Sequence, residues 1–247
     1  MLQEIHRSPE VSMSRSSTTE LTDGVDLRHA SRLLAALILP IGPLAVAGLR
    51  YVLPYFSATT PRETAEDVLA AEGQQSVVLW LGLVAAFTLL PGVLAVGHLT
   101  RRGAPRLTAA AMLLVVPGYL ALTYMIGTDL VLWTGARAGL DASTLAELAG
   151  TVHPTSDIAL GVFVLGHVIG TVLLGLALLR SRTVPVWAAI VTAASQPAHF
   201  VAFVILGSPA LDCAAWAANG IAFAVVGIAI VRTRDDEWDL PPAGTAS

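Results

Sequence analysis

Apolar residues run along this chain in six long blocks, near 33–53, 77–99, 107–127, 157–179, 184–207 and 210–231. Each is about the 20 residues that a helix needs to cross ~30 Å of hydrocarbon. Barrel strands would be shorter and would alternate, so the blocks predict helices. The sixth block is the most diluted, by Asp212 and Asn219. The pattern predicts an all-α polytopic membrane bundle of six transmembrane helices, one domain over 31–232. The flanks 1–30 and 233–247 read as disordered, because Ser, Thr, Pro and acidic residues dominate them. Met13 is a second candidate start.

The two longer connections, after the first and third blocks, carry helix signals. Thr60-Pro-Arg-Glu63 has the form of a capping box with proline at the first helical position. It predicts a short helix to about Glu72, stopped by Gly73. Asp141 is placed to cap a second short helix through Leu148, stopped by Gly150. Span three is expected to continue past Gly127 through Trp133. The two short helices would roof one face of the bundle.

Charge gives the bundle a direction. Hydrophobic residues make up 55% of the chain and charged residues 13%, against about a quarter charged in a soluble domain. All 14 basic residues are arginine. Arg28 and Arg32, Arg101, Arg102 and Arg106, Arg180 and Arg182, and Arg232 and Arg234 fall on one side. Arg50, Arg62 and Arg137 fall on the other. The positive-inside rule then places both termini in the cytoplasm, in a plasma (inner) membrane. Alanine richness without lysine points to a GC-rich, actinobacterial source. A lone Cys213 excludes an intrachain disulfide and a CxxC motif. No signal peptide is expected from the polar first 30 residues, no phosphate loop or nucleic-acid patch is read, and without lysine there is no retinal Schiff base. The expected partner is the lipid bilayer.

Two hairpins, spans two–three and four–five, resemble each other at an offset of 80. Pro105, Pro117 and Gly127 match Pro185, Pro197 and Gly207, which would make a parallel repeat. Tyr119 then aligns with His199.

Polar side chains inside hydrocarbon are costly and usually face the bundle interior. Helical spacing places His153, Asp157, His167 and Thr171 on one face of span four. Span five aligns Thr192, Ser195, Gln196 and His199; span six aligns Asp212, Trp216 and Asn219. Span three adds Tyr119 and Thr123. His167 would lie ~18 Å below the outer end of its helix, and His199 and Asn219 ~12 Å below theirs. Asp157 would sit at the outer mouth of a polar, outward-open interior. The candidate ligand-binding residues are therefore Tyr119, Asp157, His167, Gln196, His199 and Asn219. His98, at the inner end of span two, is expected to reach interfacial water without a partner. Gly166 and Gly170 should pack closely within the bundle. No cofactor and no metal site are expected. Haem b held by His167 and His199 is the alternative, and His153, Asp157 and His199 form a weaker metal set.

The segment Leu179-Arg-Ser-Arg-Thr-Val-Pro-Val-Trp187, with His153-Pro154 and Gly166-His167, resembles uncharacterised six-helix integral membrane proteins of actinobacteria. The resemblance spans most of 33–231. It implies the six-helix topology and carries no activity.

The leading functional reading is binding or transport of a small, partly apolar ligand through the outward-facing polar interior. The alternatives are a membrane-embedded enzyme acting on a lipid or isoprenoid, with Asp157 or a histidine as acid or base, and a structural or regulatory subunit without substrate. No catalytic residue is assigned.

Overall fold

The computed structural model describes residues 26–240. Helices α1 (Arg28–Ile38) and α2 (Ile41–Val52) form span one, broken at Leu39-Pro40. Proline lacks the amide that would continue the hydrogen-bond ladder, and Gly42 then comes against the Leu89 backbone. α3 (Pro61–Ala70) follows. Spans two and three are α4 (Glu72–Thr100) and α5 (Pro105–Arg137). A short α6 (Ala142–Gly150) leads to span four, α7 (Thr155–Ser181). Span five is α8 (Val186–Phe200) extended by a π turn over Val201–Ile205, and span six is α9 (Pro209–Arg232). α10 (Asp235–Trp238) ends the described chain. Six of these segments are long and apolar enough to cross a membrane, so the all-α, six-span expectation holds.

Each span packs on the next in sequence, and span six closes the ring by packing on span one. Small residues set the closest approaches. A Cβ on Gly118 would lie 2.7 Å from the His167 backbone nitrogen, and one on Gly166 2.6 Å from the Leu114 carbonyl oxygen. Gly170 meets Val115 and Gly175 meets Ala193 in the same way. Gly166 and Gly170 of span four therefore pack inside the bundle, as their spacing suggested.

The connections behave largely as their capping residues dictate. Thr60 accepts from the Glu63 amide, and the Glu63 carboxylate accepts from the Thr60 amide, completing the capping box. Hydrogen bonds from the backbone of Thr59, then its hydroxyl, lower the Glu63 pKa. Asp141 accepts from the amides of Ser143 and Thr144. Its carboxyl is held down to about 2 by the Ser143 hydroxyl and these amides. Gly73 does not stop the first roof helix. The break falls at Ala71 (φ −132°, ψ 44°), and α4 runs straight through Gly73. α5 passes Gly127 and continues to Arg137. At 33 residues it is ~50 Å long, so its end stands clear of ~30 Å of hydrocarbon and carries the roof. There α3 and α6 bury Ala65, Val68 and Leu145 against Leu132 and Ala136 of α5.

The two hairpins differ after their matched prolines. α5 continues as a regular helix beyond Pro117, whereas α8 loosens into the π turn beyond Pro197 and ends at Gly207, where φ is +57°.

The arginine-rich end is more ordered than its composition suggests. Arg32 is buried, donates to the Val231 carbonyl at 3.0 Å, and pairs with Asp235 at 3.1 Å. Trp238 is also buried. His98 Nε2 donates to the Trp238 carbonyl at 2.5 Å, the two rings lie 4.4 Å apart, and Arg101 donates to His98 Nδ1. His98 is thus an anchor for the segment after span six, not a solitary interfacial side chain. A disordered tail from residue 233 is corrected accordingly: residues 233–240 pack on the bundle. Residues 1–25 and 241–247 of the expected disordered flanks lie outside the described residues.

Candidate functional site

Span six supplies the spine of the site. Ser208 caps α9 by accepting from the Leu211 amide, Pro209 takes the first helical position, and Asp212 falls in the first turn. The positive end of a helix dipole favours a carboxylate there. From Asp212, steps of three and four residues give Trp216, Asn219, Gly220 and Phe223, all buried.

Asp212 is fully buried and is held from two sides. Arg50 Nε, at the end of span one, donates to its Oδ2 at 2.6 Å. His199 Nδ1 donates to Oδ1. The Arg50 guanidinium also lies over the rings of Phe56 and Phe203, 4.8 Å and 4.2 Å from their centroids, an arrangement that compensates a partly desolvated cation. One carboxylate thus joins spans one, five and six.

Deeper in the bundle, Trp216 packs against two imidazoles. Its ring is stacked on His167 at 6.0 Å and tilted against His199 at 5.4 Å, and the two histidine rings are 5.6 Å apart. Phe163 and Tyr119 flank His167 at 4.3 Å and 6.5 Å. His167 Nδ1 donates to the Phe163 carbonyl at 2.5 Å. That fixes the tautomer and leaves Nε2 as an acceptor with no partner.

The same situation recurs around it. Both amide atoms of Gln196 and both of Asn219 and Trp216 Nε1 are buried without a hydrogen-bond partner, and the Tyr119 and Thr171 hydroxyls, near each other, make no hydrogen bond of good geometry. The neighbouring hydroxyls of span five are not orphaned: Thr192 donates to the Ala188 carbonyl and Ser195 to that of Thr192. Six side chains of this cluster, drawn from spans three to six, thus hold unpaired polar atoms, and each such atom costs about 1–3 kcal/mol if it stays dry.

Five of the six candidate ligand residues, Tyr119, His167, Gln196, His199 and Asn219, are buried in this region. Asp157 is not part of it. It is exposed in the first turn of α7, and His153, just before the helix, is exposed too; its Nδ1 accepts from the Thr155 amide at 3.3 Å and helps to start the helix. The first turn of α7 is tied to α5 by the Tyr124–Thr155 hydrogen bond at 2.8 Å, but close glycine contacts begin only at Gly166, and Asp157 lies off the packed region. The outward-open interior is also corrected, since these polar side chains are covered. Among the described residues no three of His, Cys, Asp and Glu converge as a metal set, and His153, Asp157 and His199 do not meet.

Spacing along the helices does not reveal Arg50 as a partner of Asp212. The available signal was their opposite charge at the same end of two spans. Spacing also leaves out Asp129, which accepts from the Tyr55 hydroxyl and from Gln75 Nε2, the latter at 3.3 Å. Gln75 is fully buried, and its own carbonyl oxygen has no partner.

Toward the arginine-rich end the interior turns apolar: Leu89, Val93, Leu174, Leu178, Phe223, Val226 and Ile230 fill it. Compared with family models, with curated proteins and with solved structures, the chain matches none.

Proposed function

We propose that this is a plasma-membrane protein, with both termini cytoplasmic, that binds a small, partly apolar ligand between spans three and six. The observation that carries the reading is the set of unpaired polar atoms on Tyr119, His167, Thr171, Gln196, Trp216 and Asn219. In hydrocarbon such atoms are tolerated only with partners. The set offers amide and hydroxyl donors beside carbonyl, hydroxyl and imidazole acceptors, and no unpaired charge. The ligand is therefore neutral, both donates and accepts hydrogen bonds, and presents an apolar face to Trp216 and Phe163. Binding is favoured over transport, because the apolar fill from Leu89 to Ile230 offers no polar route to the other end. The proposed kinship with six-helix membrane proteins of actinobacteria rests on the Leu179–Trp187 turn and adds no activity.

A second reading has its own observation. The Asp212 carboxylate accepts from Nδ1 of His199 and so orients its ring. A carboxylate-held imidazole beside unpaired polar groups suits acid–base chemistry on a lipid or isoprenoid.

Native mass spectrometry of the purified protein tests both. A bound small molecule is expected in the wild type and not in Gln196→Leu or Asn219→Leu, with all three folded. A wild type free of adduct, or variants that retain it, overturns the binding reading. Turnover of an added lipid that is lost in His199→Gln would select the enzyme, and a Soret band would select haem.

A further inference from the structure

The arginine-rich end carries a second site, separate from the polar interior. Two adjoining hollows, of ≈ 300 Å³ and ≈ 260 Å³, lie under the α10 turn and share Thr183, Thr233 and Glu237. Each is near the lower bound of small-ligand pockets, about 300 Å³. Pro185, Val225 and Ile228 form the outer wall of one hollow, and Arg232 stands at its end. His98, Arg102 and Trp238 border the other.

The charges around this trough are not balanced. Arg32 pairs with Asp235, Arg234 pairs with Asp236 and Glu237, and Arg101 is held by His98 and the Trp238 carbonyl. Glu237 is thus turned toward Arg234 at 3.1 Å, which it shares with Asp236. Arg102 and Arg232 are exposed and make no ion pair or hydrogen bond among the described residues. Two uncompensated guanidiniums therefore border a trough whose outer wall is apolar. Ile228 on that wall is 51% exposed, and nearby Val186 is 60% exposed. Both lie at the ends of membrane-length helices, which is headgroup depth.

From this arrangement we infer that the trough binds an anionic glycerophospholipid of the adjoining leaflet. Its phosphate lies between Arg102 and Arg232, and an acyl chain runs along Val225 and Ile228. Guanidinium forks match phosphate oxygens, and basic pockets between spans are suited to lipid headgroups. Glu237, already paired, accepts from a headgroup hydroxyl, which favours a glycerol headgroup over a bare phosphate. The site is independent of the proposed interior ligand.

The probe is phosphatidylglycerol added to the full chain in neutral detergent, beside phosphatidylcholine and inorganic phosphate. Phosphatidylglycerol should raise the melting temperature and survive as a one-to-one adduct in native mass spectra, and the other two should do neither. Arg102→Gln with Arg232→Gln should lose adduct retention at least tenfold. Arg106→Gln with Arg180→Gln, an equal loss of charge at the same end, should retain it. Equal loss in both pairs would mean general surface charge and would overturn the site. So would an equal response to phosphatidylcholine or to free phosphate, or no adduct at all. The wild-type comparison decides the matter even if a variant fails to fold.

Discussion

Asp212 carries the largest electrostatic stake in the molecule, because it is fully buried and its charge is met by one guanidinium and one imidazole. Removing one partner of a buried pair costs about 3–5 kcal/mol, whereas replacing the pair by apolar groups of similar volume is often neutral. Arg50→Met should therefore destabilise by about that amount, and Arg50→Met with Asp212→Leu should recover most of it. Reversible unfolding in mixed micelles, read as a double-mutant cycle, measures the difference. Additive losses would show that Arg50 and Asp212 do not act as a pair. Gln196 and Asn219 differ in kind, because nothing is paired to them in the structure. Gln196→Leu and Asn219→Leu should keep or raise stability by about 1–3 kcal/mol in ligand-free protein. A marked loss of stability would mean that the amides already hold neighbouring helices together. Much of this region was legible from three- and four-residue spacing, because burial of polar residues in a membrane span has few solutions. The Arg50–Asp212 pair was not, because which helix end meets which depends on ring closure, and spacing within one helix does not encode it.

The helix contacts rest on residues without side chains at specific positions. A methyl group on Gly118 would meet the α7 backbone at 2.7 Å, so α5 and α7 would have to separate. Gly118→Ala should cost about 1–3 kcal/mol. Gly161, in the first half of α7, has nothing within 4 Å of its would-be Cβ. Gly161→Ala should be neutral or stabilise by up to about 1 kcal/mol through helix propensity. Equal effects in a thermal melt would remove the close contact from the account. The roof helices allow a pH test. The Asp141 carboxyl is held down to about 2 in the folded chain, against about 3.9 in an unfolded one. Its cap is therefore present at full strength above ~3.9 and is lost as pH falls through about 2. The Ser143 and Thr144 amide resonances should titrate with a midpoint near 2, and a midpoint near 3.9 would show that the cap does not form. Both short helices were readable because caps are local chemistry. The stop assigned to Gly73 was misplaced, since glycine only permits a break, and here the preceding Ala71 takes it. His98 was misread for a different reason: its partner Trp238 is 140 residues away. Trp238→Ala removes the buried indole packed on His98 and should release the segment after span six, so cleavage between 233 and 240 should accelerate at least about tenfold, the equivalent of losing ~1.5 kcal/mol of apolar burial.

The six spans form a closed ring whose two ends differ in character. The end bearing the first and last described residues gathers arginines and is stitched by Arg32 to Val231 and Asp235. The other end carries the roof and, beneath it, the polar interior. An even number of spans puts both ends of the chain on one side whatever the orientation, so geometry alone leaves the direction open. Arginine is the basis of the proposed direction, because a guanidinium near a span end is retained on the cytoplasmic side during insertion. Nine arginines flank spans at the terminal end and three lie at the roofed end. In a Cys213→Ala background, Gln74→Cys at the roofed end should react with a membrane-impermeant maleimide in intact cells. Asp236→Cys, on the exposed α10 turn, should react only after permeabilisation. Both positions are exposed, so a lack of reaction reports the membrane barrier and not burial. Gly103 would be a poorer reporter, because a Cβ there would lie 2.6 Å from that of Ser181. Labelling in the reverse sense would put the termini outside. The interior site would then be nearer the cytoplasm, and its ligand would have to be sought among cytoplasmic compounds.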